Sequence, residues 1–257
     1  MPIDERVRCL TSMAASDEQP PVAFHARGVL RCLAVCAVVD RGLLAQRWSG
    51  VKPEARWFVL HALANAVVAR SGVRDVLAVL RCPDAAMTMT MQSWTPSHLA
   101  FAVHLWHTLA YNKLRAEDLW HHALFVGTFG YVNFSMRWGP VVNLLLFFMT
   151  GLPGGLDYAM LAAVKQGLLP AMREKAINAK INTYLRAPGL VFTAALLYTC
   201  ARTGRSRVHP LAAGLCAALC YGNGVFYGWQ VNDDFSRRVA AVAAAGAAGG
   251  TAVATSQ

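Results

Sequence analysis

Two acids, Glu117 and Asp118, stand one helical turn before adjacent histidines, His121 and His122, at the start of an apolar run. On a helix both acid–histidine pairs are i,i+4 neighbours, so each imidazole can face a carboxylate. Burial favours a neutral imidazole and an adjacent carboxylate favours its cation, a balance that suits a general base near neutral pH. Such a base can activate a hydroxyl, an amine or water against an acyl group, or the imidazole can accept the acyl group itself. The plain structural alternative is that the acids favour the positive end of a helix and a histidine anchors it at an interface.

His104, His107 and Tyr111 follow at steps of three and four, which puts them on one helix face. Together with Asp118, His121 and His122 they offer enough ligand types for iron or zinc, which makes a metal-dependent lipid hydroxylase or desaturase a rival reading. Those enzymes carry several histidine boxes, whereas this chain has eight histidines, with His25, His61 and His209 in unrelated places. No metal is therefore assigned. Asp157 follows a Gly151-Leu-Pro-Gly-Gly155 interruption and either caps the next helix or faces a polar cavity. A broken helix beside an acid is also how many transporters build a midplane site, so a small-solute transporter stands as a further alternative.

These groups need elements to carry them, and the composition says which kind. Of 257 residues, 56% are hydrophobic and 15% charged, against about 25% charged in a typical soluble domain. The apolar residues gather into runs approaching the ~20 that span a hydrocarbon core. The expectation is an all-α, polytopic membrane helix bundle with about six to eight transmembrane helices. Net charge is +10, but the basic residues lie between apolar runs, where they meet anionic headgroups and set topology; nucleic acid is not an expected partner. There is no GxSxG, Walker loop or GxGxxG after a strand. The seven cysteines, with Cys32/Cys36 and Cys216/Cys220 at helical spacing, read as small packing residues.

Along the chain, residues 1–27 form a polar, disordered segment, 28–235 the membrane domain and 236–257 a low-complexity Ala/Gly tail. Helices are expected over about 28–44, 54–68, 97–112, 117–134, 140–149, 156–169, 188–201 and 210–229. Asn65 is the polar residue placed to bond across to another helix. Residues 70–96 read as a long connection carrying a short surface helix, and 170–186 as a basic interfacial helix. Pro153 among three glycines should break or sharply kink its helix.

The segment Glu117-Asp-Leu-Trp-His-His122, the early Arg56-Trp-Phe58 and a later helix interrupted by Asn143 resemble the TLC family (TRAM, LAG1 and CLN8 homology). The resemblance covers about residues 28–235. It implies a lipid-handling bundle in the endoplasmic reticulum or another endomembrane, with His121 and His122 matching the paired histidines of the ceramide synthases. Those enzymes carry a further His-Asp motif that is missing here, so the small TLC-domain proteins of membrane lipid homeostasis fit better. By this reading His121, His122, Asp118 and Glu117 are the catalytic candidates. His104, His107, Tyr111, Asn143 and Asp157 would contact lipid. No cofactor is implied beyond acyl-CoA as a substrate, and membrane lipids are the expected partners.

Overall fold

The computed structural model describes residues 19–111, 123 and 127–254. They form helices and turns, with no strand among the described residues. Helix α1 (Val22–Ala37) runs on through a π-helical stretch, Val38–Leu44. After a 3-10 turn at Arg47–Ser49 come α2 (Pro53–Arg81), a second 3-10 turn at Pro83–Ala85, and α3 (Thr95–Ala110). Beyond these lie α4 (Thr128–Ser135) and α5 (Val141–Leu146), the latter continued by a π turn, Phe147–Gly151, into α6 (Leu152–Gln166). Then α7 (Ala171–Ile181) passes through a π turn, Asn182–Arg186, into α8 (Ala187–Arg202), and α9 (Pro210–Ala254) closes the chain.

Three of these rods, Val22–Leu44, Val141–Gln166 and Pro210–Ala245, are long and apolar enough to cross a membrane. Their outward faces are oily, as Val35, Leu156, Leu215 and Val225 illustrate, which is what a lipid-facing bundle requires and a water-facing one avoids. The closest helix pairs are α8 with α9, α2 with α6, and α1 with α3. Between them Val68, Val76, Val103, Val141 and Leu144 build one continuous core.

Several sequence expectations need correcting. The first helix begins at Val22, inside the stretch read as disordered. Helix α2 does not stop near residue 68 but continues to Arg81, absorbing the supposed surface helix around Arg74–Leu80. Its Gly72, Val76 and Val79 are buried, so tertiary packing carries the helix through a stretch whose charges suggested a surface. Cys82 is disulfide-bonded, whereas Cys36, Cys200, Cys216 and Cys220 are the buried free thiols expected. The helix of the Ala/Gly tail reaches Ala254, with residues 236–245 exposed.

The largest correction is at Gly151–Gly155, where the helix is not broken. One rod runs from Val141 to Gln166, with a π turn just before Pro153. A π turn re-spaces the ladder so that the proline ring need not collide with the preceding carbonyls. The glycines serve contact instead of breakage. A Cβ on Gly151 would lie 3.4 Å from the Ala69 backbone, and one on Gly154 would lie 3.1 Å from Asn65 Nδ2. Small residues here bring α6 against α2. Asn65 bonds across as expected, accepting from Thr150 Oγ1 at 2.8 Å.

The buried charge inside the first rod is tolerated because it is fully partnered. Asp40 has no exposed surface. Its Oδ1 accepts from Arg56 Nε at 2.9 Å and from Tyr111 OH at 2.8 Å, and its Oδ2 from Trp106 Nε1 at 3.1 Å. This knot ties α1, α2 and α3 together at one end of the bundle. Asp40→Ala leaves the half-buried Arg56 guanidinium without its counter-charge, and removing one partner of such a pair costs about 3 kcal/mol or more. Thermal unfolding in detergent should show a clear drop in midpoint; an unchanged midpoint would refute the role given to this knot.

Candidate functional site

The sequence places its most chemical residues in four segments, and the structure sorts those it describes into three different neighbourhoods. Glu117, Asp118, His121 and His122 lie outside the described residues.

His107 and Tyr111 sit at the C-terminal end of α3. The His107 ring packs 3.7 Å, centroid to centroid, from Trp57, while Tyr111 belongs to the Asp40 knot. Burial raises the Tyr111 phenol above its ordinary range; the Arg56 hydrogen bond pulls the other way and Asp40 adds to the rise. His61, set aside as unrelated when only the sequence is considered, lies 6.2 Å from His104 and 6.0 Å from His107, centroid to centroid, and 4.5 Å from the Tyr158 ring. The signal for it was available: His61 follows Trp57 by four residues, which places both on the face of α2 that meets α3. His25, also set aside, makes a buried 3.1 Å contact between its Nδ1 and Nε2 of His98, with Trp94 and Phe134 around it. One ring must donate and the other accept, so at least one nitrogen of that contact carries its proton. No group of three or more His, Cys, Asp or Glu side chains able to hold a metal occurs among the described residues.

Asn143 belongs to a second knot. Its Nδ2 donates to Asp75 Oδ2 at 2.6 Å and to the Ser93 carbonyl at 2.8 Å. The backbone N–H groups of Gln92 and Ser93 complete the hydrogen bonding of Asp75. This knot fastens α5 to α2 and to the connection before α3, and Asn143 does not line the main cavity.

That cavity, of about 800 Å³, lies within the bundle between α3, α4, the α5–α6 rod, α7 and α9. One part of its wall is apolar, with Phe101, Phe134, Trp138, Val142, Leu146 and Leu197. His104 of α3 reaches the same wall. Polar side chains also line the cavity, among them Asp157, Asn178, Asn182, Arg186, Asn223 and Tyr227, with Ser97, Asn133 and Thr150 besides. Of the five residues proposed to contact lipid, His104 and Asp157 line this space.

The polar part is built mainly by one helix face. Glu174, Asn178, Asn182 and Arg186 recur every four residues, which stacks them along α7 and its π turn. Glu174, Asn178 and Asn182 are buried, so the stretch read as a basic interfacial helix turns a polar face inward. Asn182 Nδ2 donates to Asn178 Oδ1 at 2.8 Å. Arg186 donates through Nη2 to Asn223 Oδ1 at 2.9 Å and through Nε to the Met149 carbonyl at 3.2 Å. Its guanidinium also lies 5.1 Å from the Tyr227 ring centroid, within cation–π range. The Met149 carbonyl is the one that Pro153, four residues on, cannot serve because it has no N–H. The period-four polar pattern was readable in the sequence; the charges around it drew attention to the surface instead.

Compared with known proteins, the chain matches no protein-family model, no curated protein and no solved structure.

The placement of Asn143 has a measurable consequence. Asn143→Leu removes a donor from a buried carboxylate and should cost about 1–3 kcal/mol, read as a lowered unfolding midpoint. Any ligand held in the cavity should be retained. A variant of undiminished stability that loses its ligand would move Asn143 from the scaffold to the site.

Proposed function

We propose that this protein is a multi-pass, TLC-like membrane protein that holds a lipid or acyl chain in its helix bundle and takes part in membrane lipid homeostasis or lipid synthesis. The endoplasmic reticulum or another endomembrane is the expected location. The observation that supports the reading is the cavity: its volume lies toward the upper end of the ~300–1,000 Å³ range of small-molecule sites. A lining that combines large apolar side chains with a group of polar ones suits the two halves of a lipid. Each methylene taken from water and buried against Phe101, Trp138 and Leu146 contributes about 0.8 kcal/mol, so a long chain has ample driving force to leave water.

The enzymatic form of this proposal is acyl transfer at His121 and His122. An amine or hydroxyl would attack the thioester carbon of acyl-CoA, its proton passing to an imidazole. The acyl–oxygen or acyl–nitrogen bond forms as the carbon–sulfur bond breaks, and the CoA thiol leaves. Small-solute transport is the second reading, and the joint presence of Asp157 and Arg186 on the cavity wall is what favours it.

Mass spectrometry of the purified protein tests the first reading. A lipid or fatty acid should co-purify, and Ala100→Trp, which drives a large side chain into the cavity from α3, should cut its occupancy several-fold while the protein still inserts and accumulates. Lipid content unaffected by that substitution would sink the reading. In the same preparations, isotope-labelled acyl-CoA and a mixture of amine and hydroxyl acceptors report on transfer. The His121→Ala/His122→Ala double variant should lose any product formed by the parent yet keep its bound lipid. Solute flux in proteoliposomes without bound lipid would favour the transporter.

A further inference from the structure

The proposed lipid needs a polar end, and the cavity wall is specific about what that end must offer. Arg186 stands beside Met149, about 12 Å along the rod from Val141, about a third of the way along a membrane-length helix. A guanidinium cannot shed its charge in a protein, and charged groups at such depth are costly unless they are used. The buried acid of the first rod, Asp40, is by contrast neutralised by Arg56. Arg186 has no ion-pair partner among the described residues, and its protein contacts are a carbonyl, two asparagine oxygens and an aromatic ring. The contact to Asn182 Oδ1 is long, at 3.5 Å. Of five N–H donors, two at least remain without an acceptor among the described residues, and the residue lines the cavity. Across the same space Asp157 leaves its Oδ1 buried without a hydrogen-bond partner.

We infer that Arg186 is the seat of an anionic headgroup, a carboxylate or a phosphate, whose oxygens take the guanidinium's unspent donors while the chain runs along the Phe101–Trp138 wall. Asn223 and Asn182 hold the guanidinium plane by accepting from it, and the Met149 carbonyl fixes its Nε. What remains is a fork directed at planar or tetrahedral oxygens, the geometry that guanidinium recognises best. Asp157 supplies an acceptor in the same chamber, which suits a headgroup carrying an N–H or O–H beside its acid. The inference rests on the lipid-binding reading and names the headgroup class that reading leaves open.

The test compares acids with their neutral counterparts on the intact protein in detergent, at mildly alkaline pH, by displacement of a fluorescent fatty-acid probe. Palmitate is paired with hexadecanol, and dipalmitoyl phosphatidate with dipalmitoylglycerol; the two pairs separate a free fatty acid from a phospholipid as the source of the anion. In the wild type at least one acid should bind roughly tenfold tighter than its neutral partner, as charge-assisted hydrogen bonds are the stronger kind. Arg186→Gln should remove that preference, so that each acid binds no tighter than its neutral partner. Arg186→Lys keeps the charge without the planar fork and should fall between the two; it serves also if Arg186→Gln fails to accumulate. Equal binding of acids and neutral lipids by the wild type overturns the headgroup assignment and leaves lipid binding standing. A wild-type-sized preference surviving in either variant overturns the role of Arg186. Binding of none of the four lipids overturns the lipid reading and this inference with it.

Discussion

A proline inside a membrane-length helix leaves one carbonyl without its N–H, and no water is at hand in hydrocarbon to replace it. Here Pro153 has no N–H to give to the π turn before it, and Arg186, arriving from the next long helix, donates to the Met149 carbonyl of that turn. Both helices make π turns at this level, Phe147–Gly151 in one and Asn182–Arg186 in the other. Gly189 lets α8 lie directly on the Phe148 ring, since a Cβ there would fall 2.2 Å from ring atoms. The joint thus fixes the depth and direction of Arg186, and with it the polar end of the cavity. π turns of this sort are found disproportionately at functional sites.

The buried polar groups fall into two kinds, and the difference separates scaffold from site. Asp40 and Asp75 have both carboxylate oxygens engaged, the first by a guanidinium, a phenol and an indole, the second by two backbone N–H groups and an amide. Removing a partner from either strands a buried charge, which is why such knots hold helices in register. Asp157 and Arg186 are different: each faces the cavity with hydrogen-bonding capacity to spare. Glu174, just behind, is paired with Lys175 but also keeps one oxygen without a partner. Unspent polar capacity around a cavity is what a ligand would satisfy, whereas the carboxylates of the two knots are already engaged on both oxygens.

Histidine placement shows where reading the chain alone falls short. Spacing put His104 and His107 on one face, and the helix obliges. It could not bring His61 to them, because that needs α2 to cross α3 at one particular level. Likewise His25 and His98 are far apart in the chain and meet only because α1 packs on α3 with Gly28 beneath the His98 ring. The asparagine and acid series on α7 was visible as a period of four, but whether that face looks inward or outward depends on which neighbour covers it.

Local chemistry along the chain therefore determined the helical class, the oily rods and several of the candidate residues. Hydrophobic content and 3.6-residue periodicity are properties of a single segment, and they do not need the rest of the molecule. Only the tertiary structure decided that Pro153 bends no helix apart, that residues 70–81 extend α2, that Asn143 is occupied by Asp75, and that Asp157 and Arg186 share one chamber. Each of these turns on a partner more than thirty residues away in at least one direction, or on a neighbouring helix that covers a face. Periodicity within one rod carries no information about which rod will lie beside it.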